Sequence, residues 1–196
     1  MSTQCTSRAV PRGFTAVELM VTIAVAAIIT VIALPNLQTF IENSRRDSIV
    51  NDIVGALNYA RSEALNLNQG TYVCPGTTVP TGTTCPGGSW STGWEVITTA
   101  SGGTVANQLA THSLSSASTT PAVAVVNGST SFVFNSNGTV TLTGITGTGG
   151  EEVLVVCDSR GSSYARAVEI NTAGYVQSSS QVGQTPDGAA IVCTAT

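Results

Sequence analysis

The chain has 196 residues, a formal net charge of −4 at pH 7 and 9% charged residues, with no lysine among its cations. That length fits one modest globular domain plus a long helix, and the acidic balance argues against general binding to phosphate backbones. Ser, Thr, Gly and Asn dominate the second half. Linkers share that composition, but strand-like apolar runs recur through it, so a loop-rich β domain fits better.

Arg8 and Arg12 precede Gly13-Phe14-Thr15-Ala16-Val17-Glu18, which leads into the apolar run Leu19 to Leu34. Residues 14–34 are apolar nearly all round and long enough to span or nearly span a bilayer. Glu18 is their only charge, close to the start. A charge in mid-hydrocarbon costs about 2.5–3.5 kcal/mol on insertion scales, so such a residue is a functional candidate by default. The blander use is a tolerated glutamate at a membrane edge, reaching toward water. An ordinary signal peptide fits poorly, because the only A-x-A near the N-terminus, Ala24 to Ala26, lies in mid-run and no polar cleavage region follows. Cys5 precedes the apolar segment, which excludes a lipoprotein attachment cysteine. Arg8 and Arg12 keep the leader cytoplasmic, and everything beyond Pro35 then faces the other compartment.

This junction resembles the class III leader and first helix of type IV pilins and related pseudopilins. The resemblance implies cleavage by a prepilin peptidase after Gly13 and N-methylation of the new terminus, Phe14. It puts the family's assembly glutamate on Glu18 and its helix-kinking proline on Pro35. Gly13 has no side chain, so a protease can approach the backbone closely. The cut frees an α-amine, with which the Glu18 carboxylate of a neighbouring subunit can pair as helices pack in a filament. That pairing offsets the desolvation of both charges.

Pro35 cannot donate an N–H and clashes one turn back, so a kink is expected there. The helix is expected to resume to about Asn68. Val50, Ile53, Leu57, Ala60, Ala64 and Leu67 follow spacings of 3 and 4, one stripe of an amphipathic helix that packs on the globular domain. Arg45, Arg46, Asp47, Asn51 and Asp52 lie off it, and Gly70 is the expected stop. Beyond Gly70 the periodicity changes. Strands are expected at 71–74, 94–98, 108–114, 122–126, 130–134, 139–143, 152–157, 165–170, 174–177 and 189–193. Asn137-Gly138 reads as a tight hairpin turn, because both residues tolerate positive φ. Residues 147–150 and 178–188 read as loops.

The cysteines fit export. Cys5 leaves with the leader, and Cys74, Cys85, Cys157 and Cys193 remain, which allows three pairings. Cys74–Cys85 and Cys157–Cys193 are the favoured pairs: one closes a Pro/Gly/Thr loop, the other ties a late strand to the C-terminal one. No CxxC occurs and His112 is the only histidine, so no metal site is expected and no cofactor is implied. Catalysis has little support: Ser113 lies beside His112 in a serine-rich chain, and Glu151-Glu152, between a Gly-rich loop and a strand, read as solvated. The chain is not expected to be an enzyme. Asn127-Gly128-Ser129 and Asn137-Gly138-Thr139 match the glycosylation pattern, but read better as turns.

Ala60-Arg61-Ser62-Glu63-Ala64, then Tyr72-Val73-Cys74, Cys85 and Trp90-Ser91-Thr92-Gly93-Trp94-Glu95-Val96, resemble the FimT/FimU-type minor pilins, grouped with the H-type minor pseudopilin of type II secretion. Phe132 to Gly138 resembles that group's hairpin. Trp90 and Trp94 read as core and loop packing. Some FimT-type relatives bind DNA through a basic Gly-Arg-x-Arg motif; the matching stretch, Ala173 to Gln177, has Gly174 but neither arginine, and Arg160 and Arg166 read as salt-bridge partners. A DNA-binding competence role is therefore not expected.

The resemblance implies an α+β type IV pilin fold, a long kinked N-terminal helix packed on an antiparallel β-sheet domain. Its parts are a cleaved leader (1–13), a transmembrane or filament-core helix half (14–35), an amphipathic half (36–69) and a β-rich head (70–196). The implied function is a minor type IV pilin that primes assembly or links a tip complex to the shaft, with an H-type pseudopilin of type II secretion as the alternative. The implied partners are major and minor pilins, the prepilin peptidase, the inner-membrane assembly platform and the inner membrane itself. The implied route is single-pass in a bacterial inner membrane with a periplasmic head, then a pilus or periplasmic pseudopilus.

Overall fold

A computed structural model describes residues 13–78, 85–99, 106–115, 120–144 and 150–193. The chain divides into two compact units, Met1–Ile41 and Glu42–Thr196.

The described part of the first unit is the start of helix α1 (Ala16–Leu67). Thr15 caps it: its Oγ1 accepts the Glu18 N–H at 3.3 Å, and Thr15-x-x-Glu18 is the capping-box spacing. The helix is unbroken through Pro35. Pro35 has no N–H for the carbonyl one turn back. Its neighbour Asn36 donates Nδ2 to the Ile32 carbonyl at 3.2 Å, and Thr30 donates Oγ1 to that of Ala26 at 2.7 Å. Such side-chain bonds compete with the ladder and favour bending.

In the second unit α1 buries Ile49, Val50, Ile53, Leu57, Ala60 and Ala64. Two residues depart from the expected stripe. Leu67, the last residue of the helix, is 43% exposed. Arg46, set aside for its polarity, is 3% exposed. It lies four residues before Val50 and seven before Ile53, so it shares their face. Burial is tolerated because its guanidinium is bonded: Nε and Nη2 to Asp47 Oδ1 at 3.0 and 2.9 Å, and Nη1 to the Tyr164 carbonyl at 2.6 Å. The helix stops at Asn68, not Gly70. Asn68 has φ 52°, and the Gln69 N–H reaches the Ala64 carbonyl at 3.3 Å, a Schellman closure.

Nine strands follow among the described residues: β1 (Thr71–Pro75), β2 (Gly93–Thr99), β3 (Ala106–Ser113), β4 (Ala122–Val125), β5 (Ser131–Phe134), β6 (Val140–Thr143), β7 (Glu151–Cys157), β8 (Arg166–Asn171) and β9 (Val176–Ser178). They form two antiparallel sheets, β3-β2-β1-β5-β6 and β4-β7-β8-β9. Alternation sends Val73, Val96, Phe132 and Phe134 of the first sheet, and Leu154 and Val168 of the second, into one core with α1. The outer face of the second sheet is covered as well. Ile191 packs there with Val155, Ala165 and Ala167.

Two expectations about the strands are corrected. The stretch 189–193 is not a strand: it has one isolated bridge, Gln184 to Ala190. It is held instead by the Ile191 N–H to the Gly183 carbonyl at 3.0 Å and the Cys193 N–H to Ser162 Oγ at 2.9 Å. Its apolar alternation reflects residues pinned across a sheet face, not a ladder. Asn137-Gly138 does connect β5 and β6, but Phe134 pairs with Val140, so five residues form the loop. The Gly138 N–H bonds to the Asn135 carbonyl at 2.8 Å, and Gly138 has φ 80° while Asn137 is not left-handed. The turn is type I followed by a left-handed glycine, the longer alternative to the two-residue turn. Of the expected loop 147–150, residues 147–149 lie outside the described residues.

The outer face of the first sheet holds a buried carboxyl, Glu95. Its Oε2 accepts from Gln108 Nε2 at 3.3 Å, while Oε1 has no partner among the described residues. Burial raises its pKa above the usual carboxylate range, partly offset by Gln108. Between the ordinary carboxylate pKa and the raised one, the folded state holds a proton that the unfolded chain releases, so this group's contribution weakens as pH rises through that window. Glu95→Gln should melt higher than the parent at neutral pH, and the gain should vanish below about pH 4, where both side chains are neutral. Melting curves across that range check it; a lower melting temperature for Glu95→Gln at neutral pH would mean that the ionised carboxylate stabilises.

Candidate functional site

The sequence directs attention to the start of α1. Gly13 and Phe14 precede the capped first turn, and Phe14 is exposed. Glu18 lies in that turn, also exposed, with Val17, Leu19 and Met20 exposed around it. The apolar side chains continue uncovered to Phe40. By length and composition α1 can cross a membrane, with a mean hydropathy of 2.6 over its best window. A continuous exposed apolar helix of this kind needs lipid or other helices around it. Glu18 is the one acidic or basic residue between Phe14 and Leu34. Pro35 lies further along the same helix.

The other sites read from the sequence lie in the second unit. Cys74 is bonded to Cys85 with Cα atoms 5.4 Å apart, and Cys157 to Cys193 at 6.0 Å. Cys5 lies outside the described residues. Trp90 packs against Phe132, with centroids 5.2 Å apart. Trp94 stacks on His112 at 4.5 Å, and His112 Nε2 is 3.7 Å from Asp52 Oδ2. His112 thus holds a packing position between sheet and helix. No group of three His, Cys, Asp or Glu suited to a metal occurs among the described residues.

The glutamate pair divides. Glu151 is exposed, but Glu152, expected to be solvated, is fully buried. Its carboxylate accepts the N–H groups of Asn127 at 2.7 Å, Ser129 at 2.8 Å and Val153 at 3.0 Å. The alternation along β7, with Glu152, Leu154 and Val156 on one face, was the available signal for this inward position. Asn127-Gly128-Ser129 wraps this carboxylate. Asn137 Oδ1 accepts the Thr139 N–H at 3.1 Å, so both glycosylation-like sequences act as turns.

The stretch matching the basic DNA motif is also a turn. The Tyr175 N–H donates to Asn171 Oδ1 at 3.0 Å, and Gly174 has φ 78°. A Cβ at Gly174 would stand 2.2 Å from the Gly138 carbonyl oxygen, so glycine lets the two turns touch. Arg160 pairs with Glu42 at 3.0 Å and with Asp158, and its Cζ lies 4.5 Å above the Tyr164 ring. Burial disfavours the Asp158 carboxylate, but the bonds and charge of Arg160 outweigh it and hold its pKa below the usual range. Arg166 lies 3.7 Å from Asp47 and donates to the Ser179 carbonyl. Both arginines are committed to internal pairs, as the sequence suggested.

The fold resembles two crystal forms of the type IV minor pilin FimU of Pseudomonas aeruginosa strain PAO1. One is 22% identical over 74% of this chain and 98% of that chain, with a TM-score of 0.53. The other is 20% identical over 71% and 98%, with a TM-score of 0.50. No curated protein matches the chain. The family model of the type II transport protein GspH matches residues 50–174, from the buried stripe of α1 to the turn at Gly174. With the long helix, the antiparallel sheets and that match in place, the chain belongs to the GspH family, in its FimT/FimU-type fold.

Proposed function

We propose that the chain is a minor type IV pilin, a structural subunit that primes pilus assembly or joins a tip complex to the shaft. The observation that carries this reading is Glu18, one turn into an exposed apolar helix and five residues beyond Gly13, on a chain with a GspH-family head. Residues 1–13 are a leader removed by prepilin peptidase, and Phe14 becomes the methylated terminus. Residues 14–35 hold the subunit in the inner membrane and later enter the filament core. Residues 36–69 carry the head, residues 70–196. Pro35 gives the apolar half a place to bend. Assembly exchanges lipid for helix–helix contacts, guided by pairing of Glu18 with the α-amine of a neighbouring major or minor pilin on the assembly platform. The head is periplasmic before assembly and part of the pilus after it. The role is structural, without catalysis or nucleic-acid binding.

Glu18→Ala should be processed normally and fail to support piliation; wild-type levels of sheared pili would refute the pairing. A bulky residue at Gly13 should block leader removal, read as a mass difference at the N-terminus. The match to the type II transport protein supports one rival, an H-type minor pseudopilin. A deletion strain scored in parallel for surface pili and for type II exoprotein secretion separates them. Loss of pili with normal secretion supports the pilin reading, whereas normal pili with trapped exoproteins would make the chain a pseudopilin.

A further inference from the structure

Three of the four sheet edges in the head are short or tied. In β4, Ser91 Oγ accepts the Val123 N–H at 3.2 Å and donates to the Val123 carbonyl at 3.0 Å. In β6, the Val140 N–H donates to the Thr172 carbonyl at 2.8 Å. The third edge, β9, is three residues long. These are ordinary ways of blunting an edge. The fourth edge, β3, is different: it has eight residues and, among the described residues, pairs with β2 alone. It contains no charged residue and no proline. The Leu114 N–H bonds to the Thr92 carbonyl at 3.1 Å. Alternation from that pair sends the N–H and C=O groups of Ala110 and His112 to β2, and those of Thr111 and Ser113 to the free edge. None of the described residues bonds to the latter backbone groups.

A groove runs beside this edge against α1. Asp52, Ala56 and Tyr59 of the helix, with Trp94, Val96 and His112 of the sheet, line a cavity of about 250 Å³. Gly55 opens it, since a Cβ there meets nothing within 4 Å. Asp52 and His112 also line a second cavity of about 490 Å³, which extends to Arg45 and Ser115.

We propose that β3 and this groove form a docking site for an extended segment of a different filament subunit, which adds to the first sheet as a sixth strand. The proposal rests on the pilin reading. A row of free N–H and C=O groups is complemented by another extended backbone, and a helix or small ligand does not offer that row. Alternate side chains of such a strand point the same way and repeat about every 7 Å. One aliphatic side chain enters the cavity over Trp94 and Ala56, and a polar one faces Arg45 and Asp52. A second copy of this chain fits less well. Its residues 42–196 carry ten carboxylates against five arginines, so like heads repel, and β3 against β3 leaves the groove empty.

The test places photoreactive p-benzoylphenylalanine at Ser113 of the full-length chain in piliated cells. Filaments are irradiated and sheared, and the attached peptide is identified by mass spectrometry. The expected result is attachment to one contiguous stretch of a different subunit, falling about tenfold in Gly55→Leu and in Thr111→Pro. Gly55→Leu fills the groove while raising helix propensity, and the melting temperature of the head checks that folding is intact. Attachment to a second copy, attachment at scattered sites, or a yield unchanged by Gly55→Leu overturns the proposal. Absence of the chain from sheared filaments fails the pilin reading and this proposal together. Presence without attachment at Ser113 fails this proposal alone.

Discussion

Cys157→Ser should lower the stability of the head by about 4 kcal/mol, the chain-entropy expectation for the 36-residue separation from Cys193. In a domain of this size that corresponds to a drop in melting temperature of about 10 °C. The effect is large because the bond does more than close a loop. It anchors a C-terminal segment that has no strand ladder of its own and that places Ile191 over Val155, Ala165 and Ala167. Losing the bond frees the segment and exposes that outer face. Cys74→Ser should cost less, about 3 kcal/mol, since it closes a separation of 11 residues. Thermal unfolding of each variant against the oxidised parent measures both. A free thiol at Cys193 in the native protein, or an unchanged melting temperature in Cys157→Ser, would refute this account.

Glu152→Ala should cost about 3 kcal/mol or more, because it leaves the N–H groups of Asn127, Ser129 and Val153 without their acceptor. Ser129 is itself buried, so water has poor access to its N–H. The Asn127-Gly128-Ser129 turn, which leads from β4 toward β5, should loosen first. Amide hydrogen exchange at those three positions should quicken before the rest of the head does. Glu152→Gln is the sharper control: it keeps the volume and one oxygen, but its NH₂ group must face an N–H. An intermediate loss is expected. Stability equal to the parent in Glu152→Ala would mean that the turn is held by other contacts.

The apolar stretch at the N-terminus was legible because it is local: a run of membrane length needs no tertiary information to recognise. The same holds for the periodicities. Spacings of 3 and 4 located the buried face from Val50 to Ala64, and period-2 runs located nine of the ten expected strands. Chemistry that depends on a distant partner was not legible. Arg46 and Glu152 look solvated by residue type, yet both are buried, because the Tyr164 carbonyl and the turn at Asn127–Ser129 come to them from far along the chain. The last strand failed for a related reason: an alternating apolar segment pairs in a ladder or lies across a sheet face, and only the neighbours decide which.

By itself, then, the sequence determined an acidic, lysine-free chain, one exposed apolar helix with a lone carboxylate in its first turn, a helix stripe and a series of short strands. These follow from composition and from spacing along the backbone, which are properties of nearby residues. The tertiary structure decided that the strands split into two sheets and that Arg46, Glu95 and Glu152 are interior. It also decided that β3 is left as the long free edge beside a groove. Those outcomes depend on which backbone groups and side chains meet across long sequence separations, and the balance of desolvation against hydrogen bonding is settled only where they meet.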